Sequence, residues 1–205
     1  MNKTKIIKVK GDWEEVVNDC RSTVGKDELG KEPSEKFKKS ILISEHSPIR
    51  DISIKWMWDS IKTWIATHWV RHKWEPFVRS QRDDRTGIPR DKLPQDTPVT
   101  FTGEANIQHL IDTARKRLCF TASPETREYM EDLKVTIHDK VDKNIANVLV
   151  PNCIYRCGCP EPNGCKFFKD FLLLYDDQPI YDIQTRYNIY NKIFYNKQSY
   201  KSKGE

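Results

Sequence analysis

The amino-acid sequence predicts a globular fold that mixes α-helices with β-strands. Apolar and polar residues alternate over residues 51–58, which is the pattern of a strand with one buried face. Apolar residues recur every three or four positions over residues 106–119, which is the pattern of an amphipathic helix. A hydrophobic fraction of 37%, with 6 Trp, 8 Tyr and 8 Phe among 205 residues, is sufficient to bury a core.

Two amphipathic helices are predicted before the strand. The first covers residues 12–23 and the second covers residues 34–43, each with apolar positions at helical spacing. A loop rich in Gly, Lys, Glu and Pro joins them. We expect both helices to serve as scaffold.

The predicted strand leads into a helix that ends at a basic segment. Ile65 and Trp69 belong to an apolar set with helical spacing. This helix would present Arg71 and His72 at its C-terminal end. The polar segment 79–98 that follows contains one Gly and three Pro residues, so it is predicted to be mostly loop.

The second half of the chain is predicted to contain further helices. The helix over residues 106–119 is followed by another, with Ser123 as its N-cap and Pro124 as its first helical residue. A third helix is predicted in the tail from an apolar set at helical spacing. That set is Ile183, Tyr187, Tyr190 and Phe194.

The charge and hydropathy of the chain limit its partners. A formal net charge of +5 suits a phosphorylated ligand, and without a dense stripe of Lys and Arg a nucleic-acid partner is not expected. The N-terminus lacks the apolar stretch of a signal peptide, and no segment reaches the roughly 18 apolar residues of a membrane span. We therefore expect a cytoplasmic protein with no membrane partner.

Basic side chains occur on both sides of the predicted loop. His68 and Arg71 stand three positions apart on the predicted helix and so share a face. Arg82, Arg90 and Arg117 are further candidates for binding the same anion, since guanidinium groups match phosphate oxygens with two parallel donors. The alternative is that each is a solvated surface charge.

Four short elements of the sequence occur in the order of the motifs of one enzyme family. They are Glu45-His46-Ser47-Pro48-Ile49-Arg50; Thr67-His68-Trp69-Val70-Arg71-His72-Lys73 with Ser80-Gln81-Arg82; Pro89-Arg90 with Leu93-Pro94; and Asn106, Leu110 and Arg117 on one predicted helix. Together they resemble the flavin-dependent thymidylate synthase (ThyX) family over roughly residues 43–137.

The middle of the chain departs from the pattern of that family. Lys73 stands where the family has the second Arg of its motif, and Asp83 stands where it has a Tyr. Pro76, Val78 and Arg79 occupy the places of Ser, Asn and Glu or Gln. These departures leave two products open, namely thymidylate and another 5-substituted deoxypyrimidine nucleotide such as the hydroxymethyl one.

The resemblance implies a fold class, an assembly and a reaction. The implied fold is α+β, ThyX-like, with a mostly antiparallel sheet flanked by helices, and the implied assembly is a homotetramer with active sites shared between subunits. The implied reaction methylates dUMP to dTMP with methylenetetrahydrofolate as carbon donor, FAD as hydride carrier and NADPH as reductant. A non-catalytic nucleotide-binding or structural protein on the same scaffold is the alternative.

The resemblance also implies roles for individual residues. Arg117 is expected to contact the uracil ring, where its charge stabilises the activated ring, and His72 is the second catalytic candidate. The other implied nucleotide-binding residues are His68, Ser80, Arg82 and Arg90. The implied flavin-binding residues are Ser47, Arg71, His72, Lys73 and Asn106.

The composition changes after Val148, so we divide the chain into a nucleotide- and flavin-binding domain at 1–148 and a Cys-rich extension at 149–205. Four cysteines crowd into this extension. They are Cys153, Cys157, Cys159 and Cys165. Four thiolates can bind zinc tetrahedrally, and structural zinc, reduced free thiols, an iron–sulfur cluster and disulfides are the open alternatives. Cys119 is expected to be a packed helix residue.

Overall fold

The computed structural model describes residues 3–173 and 180–201, and its architecture is α+β. In this described part, antiparallel strands form one sheet in the order β1-β2-β4-β3. The strands are β1 Thr4–Lys10, β2 Ser53–Lys62, β3 Phe77–Val78 and β4 Pro98–Asn106. Helices flank the sheet, so the predicted fold class is confirmed.

Strand β2 lies at the centre of the sheet and contains most of the strand predicted from alternation. Its inward positions Ile54, Trp56 and Trp58 are fully buried. The ring of Trp56 packs across Gly103 on β4, where a Cβ atom would stand only 2.6 Å from Cζ2 of the indole. A glycine at this position therefore makes room for the large aromatic core.

Strands β1 and β4 carry weak sequence signals and are not among the predicted elements. Most residues of β1 are exposed, so few apolar side chains mark its inward face. On β4 buried residues alternate with partly exposed ones, but two of the buried residues, Gly103 and Ala105, contribute little apolar surface to the pattern. Pairing with β2, rather than local composition, stabilises both strands.

The helices of the first half lie close to their predicted positions. They are α1 Trp13–Ser22, α2 Glu35–Ser44 and α3 Thr63–Trp69. Asp12 and Ser34 cap α1 and α2 by accepting the backbone N–H three residues further on. A 3-10 helix at Ser47–Asp51 leads into β2, and α3 begins where β2 ends and finishes before Arg71, as predicted.

Residues 79–97 are loop apart from two short turns of helix, and Pro98 begins β4. These are α4 Asp83–Thr86 and a 3-10 turn at Arg90–Lys92. Gly87 ends α4 with φ of 70°, in the left-handed region that glycine adopts readily. The predicted loop is therefore confirmed.

Two longer helices follow β4. They are α5 Ile107–Arg117 and α6 Pro124–Lys140. Oδ1 of Asn106 accepts from the backbone N–H of His109 at 2.9 Å, and Oγ of Ser123 accepts from the backbone N–H of Thr126 at 3.3 Å. Both side chains are N-caps, and the predicted start of α6 at Ser123 and Pro124 is confirmed.

The C-terminal part of the chain is also helical. Its helices are α7 Lys143–Asn147, α8 Asn152–Arg156, α9 Phe167–Leu173 and α10 Ile183–Lys201. The predicted tail helix is confirmed as α10, and its Tyr190 and Phe194 belong to the same hydrophobic cluster as Trp56 of the sheet. The division into 1–148 and 149–205 stays a prediction, and the segments 1–2, 174–179 and 202–205 lie outside the described residues. None of the described helices has the length and apolar character needed to cross a membrane.

A buried lysine attaches α10 to the rest of the fold. Nζ of Lys134 donates to the backbone oxygens of Ala146 and Leu149 at 2.7 and 3.0 Å, and to Oδ1 of Asn191 at 2.7 Å. Burial lowers the pKa of Lys134 well below its usual value. The three acceptors match the three N–H bonds of an ammonium group and offset part of the cost of burying it.

Candidate functional site

Arg117, the last residue of α5, makes contact with the end of α3. Its Nε donates to Nε2 of His72 at 2.7 Å, and its Nη2 donates to the backbone oxygen of His68 at 2.9 Å. The final carbonyl groups of a helix have no partner within it and carry partial negative charge, so a guanidinium is favourable there. We call His68, His72 and Arg117 the helix-end cluster.

Stacked tryptophans support the turn that carries His72. The rings of Trp69 and Trp74 lie 5.0 Å apart and are parallel to within 6°. His72 packs against both, with ring centroids 5.8 and 5.5 Å away. The guanidinium carbon of Arg117 lies 5.6 Å from the centre of the Trp69 ring, a cation–π distance. Because both tryptophans are almost fully buried, the turn between them holds His72 in one place.

His72 is a neutral hydrogen-bond acceptor at physiological pH. Burial lowers its pKa to about 4, and the charges of Arg117, Lys116 and Arg71 act in the same direction. Because Nε2 accepts from Arg117, the ring proton belongs on Nδ1. Burial and Arg71 also lower the pKa of Arg117, but a guanidinium remains protonated. Neither acceptor of Arg117 is negatively charged, so its positive charge remains available to an anionic group.

His68 is held through the N-terminus of α6. Its Nδ1 lies 2.8 Å from Oγ1 of Thr126, which in turn accepts from Oγ of Ser123 at 2.7 Å. The hydroxyl proton of Thr126 is therefore directed to Nδ1, and the imidazole proton belongs on Nε2. Burial, followed by Arg117 and Arg71, lowers the pKa of His68. The ring is thus a neutral donor fixed in orientation by a buried threonine.

The polar loop is attached to the opposite end of α3. Nε2 of Gln81 donates to Oγ1 of Thr63 at 3.0 Å, and the backbone N–H of Thr63 donates to the oxygen of Thr97 at 3.0 Å. Thr63 begins α3, whereas Arg117 contacts its last turn, roughly 8 Å away at about 1.5 Å of rise per residue. Within one chain, Gln81 and Thr97 are therefore attached at the opposite end of α3 from Arg117.

The predicted phosphate-binding residues of this loop make local contacts. Nε of Arg82 donates to Oδ1 of Asp84 at 2.9 Å, and Oγ of Ser80 accepts from the backbone N–H of Arg82 at 3.3 Å. The backbone N–H of Arg90 donates to Oδ1 of Asp83 at 2.9 Å. The structure does not bring these side chains to the helix-end cluster of the same chain, and their role in binding a nucleotide stays a prediction.

The predicted flavin-binding residues occur at two places. Arg71 and Lys73 are exposed in the turn after α3. Asn106 uses Oδ1 to cap α5 and pairs with Ser53 across the sheet, and Ser47 begins the 3-10 helix that precedes β2. Their contact with FAD stays a prediction.

Three residues that support the site are not among the predicted site residues, although Trp69 is predicted as an apolar residue of its helix. Thr126 is buried and fixes His68, and Trp69 and Trp74 fix His72. A sequence signal for Thr126 exists, since it stands three residues after the N-cap Ser123, where a capping partner is expected. The tryptophan pair has the weaker signal of two aromatic residues on either side of a basic motif.

The structure does not gather the predicted zinc ligands into one ready metal site. Cys153 is buried in α8, the thiol of Cys157 lies 3.6 Å from the oxygen of Ile180, and Cys159 and Cys165 are exposed. All six cysteines of the chain are free thiols. Across residues 3–173 and 180–201, no group of three or more His, Cys, Asp or Glu side chains could hold a metal ion as positioned. Zinc binding stays a prediction.

Comparison with known proteins shows a shared fold. No protein-family model matches the chain, and no curated protein matches it. Among solved structures, it is similar to PolB, a UMP/dUMP methylase from Streptomyces cacaoi bound with 5-Br dUMP, with a TM-score of 0.56. The match covers 71% of this chain and 93% of that chain at 14% sequence identity. At this identity the likeness is one of fold.

The lowered pKa of His72 predicts a pH dependence of stability. The folded pKa of about 4 lies below the value of 6.5 expected in the unfolded chain, so the unfolded chain binds more protons between these values. The free energy of unfolding should therefore fall as the pH falls from about 6.5 to about 4. The upper limit is about 1.4 kcal/mol per pH unit, and the actual slope should be smaller because His72 is partly exposed. Measured by denaturant unfolding in this pH window, the free energy of unfolding should fall more steeply with decreasing pH in the wild type than in His72→Gln. A parallel pair of pH profiles would contradict the prediction.

The two histidines of the helix-end cluster should be opposite tautomers. Long-range 1H–15N correlation spectra at neutral pH are expected to show the proton of His68 on Nε2 and that of His72 on Nδ1. Thr126→Val removes the donor to Nδ1 and should shift His68 toward the other tautomer without changing His72. A wild-type His68 with its proton mainly on Nδ1 would rule out the proposed direction of the Ser123 and Thr126 hydrogen bonds.

Proposed function

We propose that the helix-end cluster binds the pyrimidine ring of dUMP and that the protein methylates carbon 5 of that ring as an FAD-dependent thymidylate synthase-like enzyme. The observation that carries the proposal is the convergence of His68, His72 and Arg117 at the end of α3. Arg117 lies 49 positions after His68 and 45 positions after His72 in the sequence. The motif resemblance and the fold shared with a UMP/dUMP methylase support the same substrate class.

The electrostatics of the cluster suit an activated uracil ring. Negative charge develops on the ring carbonyl oxygens when carbon 5 becomes nucleophilic, and a fixed guanidinium stabilises that charge. Arg117 is held by neutral acceptors, so its charge is not cancelled before the substrate binds. Nε2–H of His68 supplies a second, neutral donor whose orientation is fixed by Thr126. The neutral state of His72 matters because an imidazolium would repel Arg117.

We propose that FAD binds at Arg71 and Lys73, with the edge strand β3 as an apolar surface for it. Arg71 and Lys73 are exposed cations that match a diphosphate, and Phe77 and Val78 on the edge strand β3 are 62% and 40% exposed. When bound, FAD supplies the hydride that converts the transferred methylene to a methyl group, with methylenetetrahydrofolate as carbon donor and NADPH as reductant. The protein positions the ring, excludes water with the stacked Trp69 and Trp74, and holds the charge of Arg117.

A second copy of the chain is proposed to complete the phosphate subsite. The loop that carries Ser80, Arg82 and Arg90 is attached at the start of α3, where Gln81 donates to Thr63, and a neighbouring copy would bring the same residues to the helix-end cluster. Arg82 is 64% exposed, and the rest of its guanidinium can reach across such an interface while Nε stays bonded to Asp84. Active sites shared within a homotetramer would place the loop of one subunit over the cluster of another.

A related enzyme that makes another 5-substituted deoxypyrimidine nucleotide, such as the hydroxymethyl one, is the second candidate. The altered stretch from Pro76 to Asp84 would allow it, because it departs from the ThyX motif. Lys73 is a further departure, since an ammonium cannot provide the two parallel donors of the motif Arg.

The binding part of the proposal predicts a specific loss of affinity. Arg117→Ala should weaken dUMP binding by about 10- to 150-fold, which corresponds to roughly 1.5–3 kcal/mol for a charged hydrogen bond. Lys116→Ala is the matched control, since it removes an exposed charge from the neighbouring position and should change the affinity by less than about twofold. Calorimetric titration gives both values, and thermal unfolding verifies that each variant is folded. An unchanged affinity in Arg117→Ala would contradict the assignment.

The catalytic part of the proposal is tested by colour and product. The purified protein should be yellow, should bleach with NADPH and should convert dUMP and methylenetetrahydrofolate to dTMP, and it should support growth of a thymidine-requiring host. His72→Gln should lower this turnover while the circular dichroism spectrum is retained. A colourless protein that still binds dUMP would identify a non-catalytic binding protein, and a hydroxymethylated product would identify the second candidate.

A further inference from the structure

Four cysteines from separate parts of the chain line one cavity beside the end of α5. The volume of the cavity is about 240 Å³. Its cysteines are Cys119, Cys153, Cys159 and Cys165. This set differs from the one grouped by sequence, because Cys119 takes the place of Cys157. The thiol of Cys157 is directed elsewhere, to the backbone oxygen of Ile180 at 3.6 Å.

Two of these cysteines lie on well-packed parts of the fold. Cys153 is 7% exposed on α8. The buried side chain of Arg186 holds that helix in place by donating to the backbone oxygens of Ile154 and Tyr155, each at 2.8 Å. Cys119 follows the last residue of α5 by two positions, is half-buried, and has its Sγ 3.0 Å from Oγ1 of Thr121. These two thiols form the fixed half of the group.

The other two cysteines lie on an exposed turn. Sγ of Cys159 packs against Gly164, where a Cβ atom would stand 2.8 Å from the sulfur, so the glycine permits an approach that another residue would block. Cys165 is the next residue in the sequence.

We propose that Cys119, Cys153, Cys159 and Cys165 together bind one zinc ion as a structural site. Four soft thiolates in tetrahedral arrangement are the ligand set that zinc prefers in such sites. In the arrangement described above, the thiols are not yet close enough to hold a metal, so the exposed turn with Cys159 and Cys165 closes onto the fixed pair until each Zn–S distance is about 2.3 Å. Each thiol releases its proton to solvent as it binds.

The surroundings of the cavity suit this site. Zinc with four thiolates carries two negative charges, and the exposed Lys116 in the same lining offsets part of them. Arg115 also lines the cavity but is paired with Glu45 and Asp112, and Glu161 adds a negative charge. Phe120, Phe167 and Phe168 also line the cavity and limit access of water. The site would link the exposed turn to the end of α5.

Metal titration tests the site without any measurement of turnover. The protein is purified with a phosphine reductant, freed of metal with a chelator and titrated with Co²⁺, which reports tetrahedral thiolate ligation by its d–d and charge-transfer absorption. One Co²⁺ per chain should bind with these bands, and Zn²⁺ should displace it. Colorimetric and mass-spectrometric counts of the metal give the stoichiometry.

Two variants distinguish the proposed ligands from the sequence-based group. Cys119→Ser should weaken metal binding by at least about 100-fold, because it removes one of four thiolates. Cys157→Ser is the matched control and should bind Co²⁺ as the wild type does. In a parallel measurement, Zn²⁺ should protect the accessible thiols of Cys119, Cys159 and Cys165 from alkylation and leave the reactivity of Cys157 unchanged. Circular dichroism of each variant verifies that the fold is retained.

Three results would overturn the proposal. The first is a wild-type protein that takes up no Co²⁺ or Zn²⁺ under reducing conditions, or that forms a brown iron–sulfur chromophore instead. The second is loss of binding in Cys157→Ser with binding retained in Cys119→Ser, which would restore the sequence-based ligand set. The third is equal alkylation of all six cysteines with and without Zn²⁺. A failure here would leave nucleotide binding at the helix-end cluster untouched, since the two are measured separately.

Discussion

The contact of Arg117 with the end of α3 is the interaction on which the candidate site depends. It joins two helices that are distant in sequence, and it places a positive charge where the backbone of α3 carries partial negative charge. The second acceptor, His72, must be neutral for this contact to form, and burial keeps it so. Fold and electrostatics are therefore coupled at this point, because the packing that buries His72 also leaves the guanidinium charged and fixed in direction.

The packing that buries His72 is an aromatic layer between the sheet and the helix-end cluster. Trp58 contacts both Trp69 and Trp74, and the ring of Phe101 stacks on Trp58 at 5.2 Å. In the described residues, the indole nitrogens of Trp69 and Trp74 are buried without a hydrogen-bond partner, so apolar contact outweighs the loss of those bonds. A layer of this kind resists movement, and a site that must hold a planar ring benefits from such rigidity.

The end of α5 connects this site with the cysteine-lined cavity. Arg117 contributes to the first and Cys119, two residues later, lines the second. On the other side of the cavity, Cys153 belongs to a helix that is held by Arg186 of α10, and α10 is itself anchored by Lys134. The C-terminal extension is therefore packed against the element that carries the candidate substrate-binding arginine, and an ion bound between them would stabilise both.

The sequence by itself determined the local features of this protein. Helical periodicity and the cap at Ser123 located most helices, and alternation located β2, because such patterns depend on neighbours within a few positions. The motif order brought His72 and Arg117 into one hypothesis. Only the tertiary structure decided that the loop is attached at the start of α3 through Gln81. It also decided that Thr126 fixes His68, and that Cys119 rather than Cys157 lines the cavity together with the three other cysteines. Those relations depend on which elements pack against each other, and spacing along the chain carries no information about the direction in which a side chain points across such a contact.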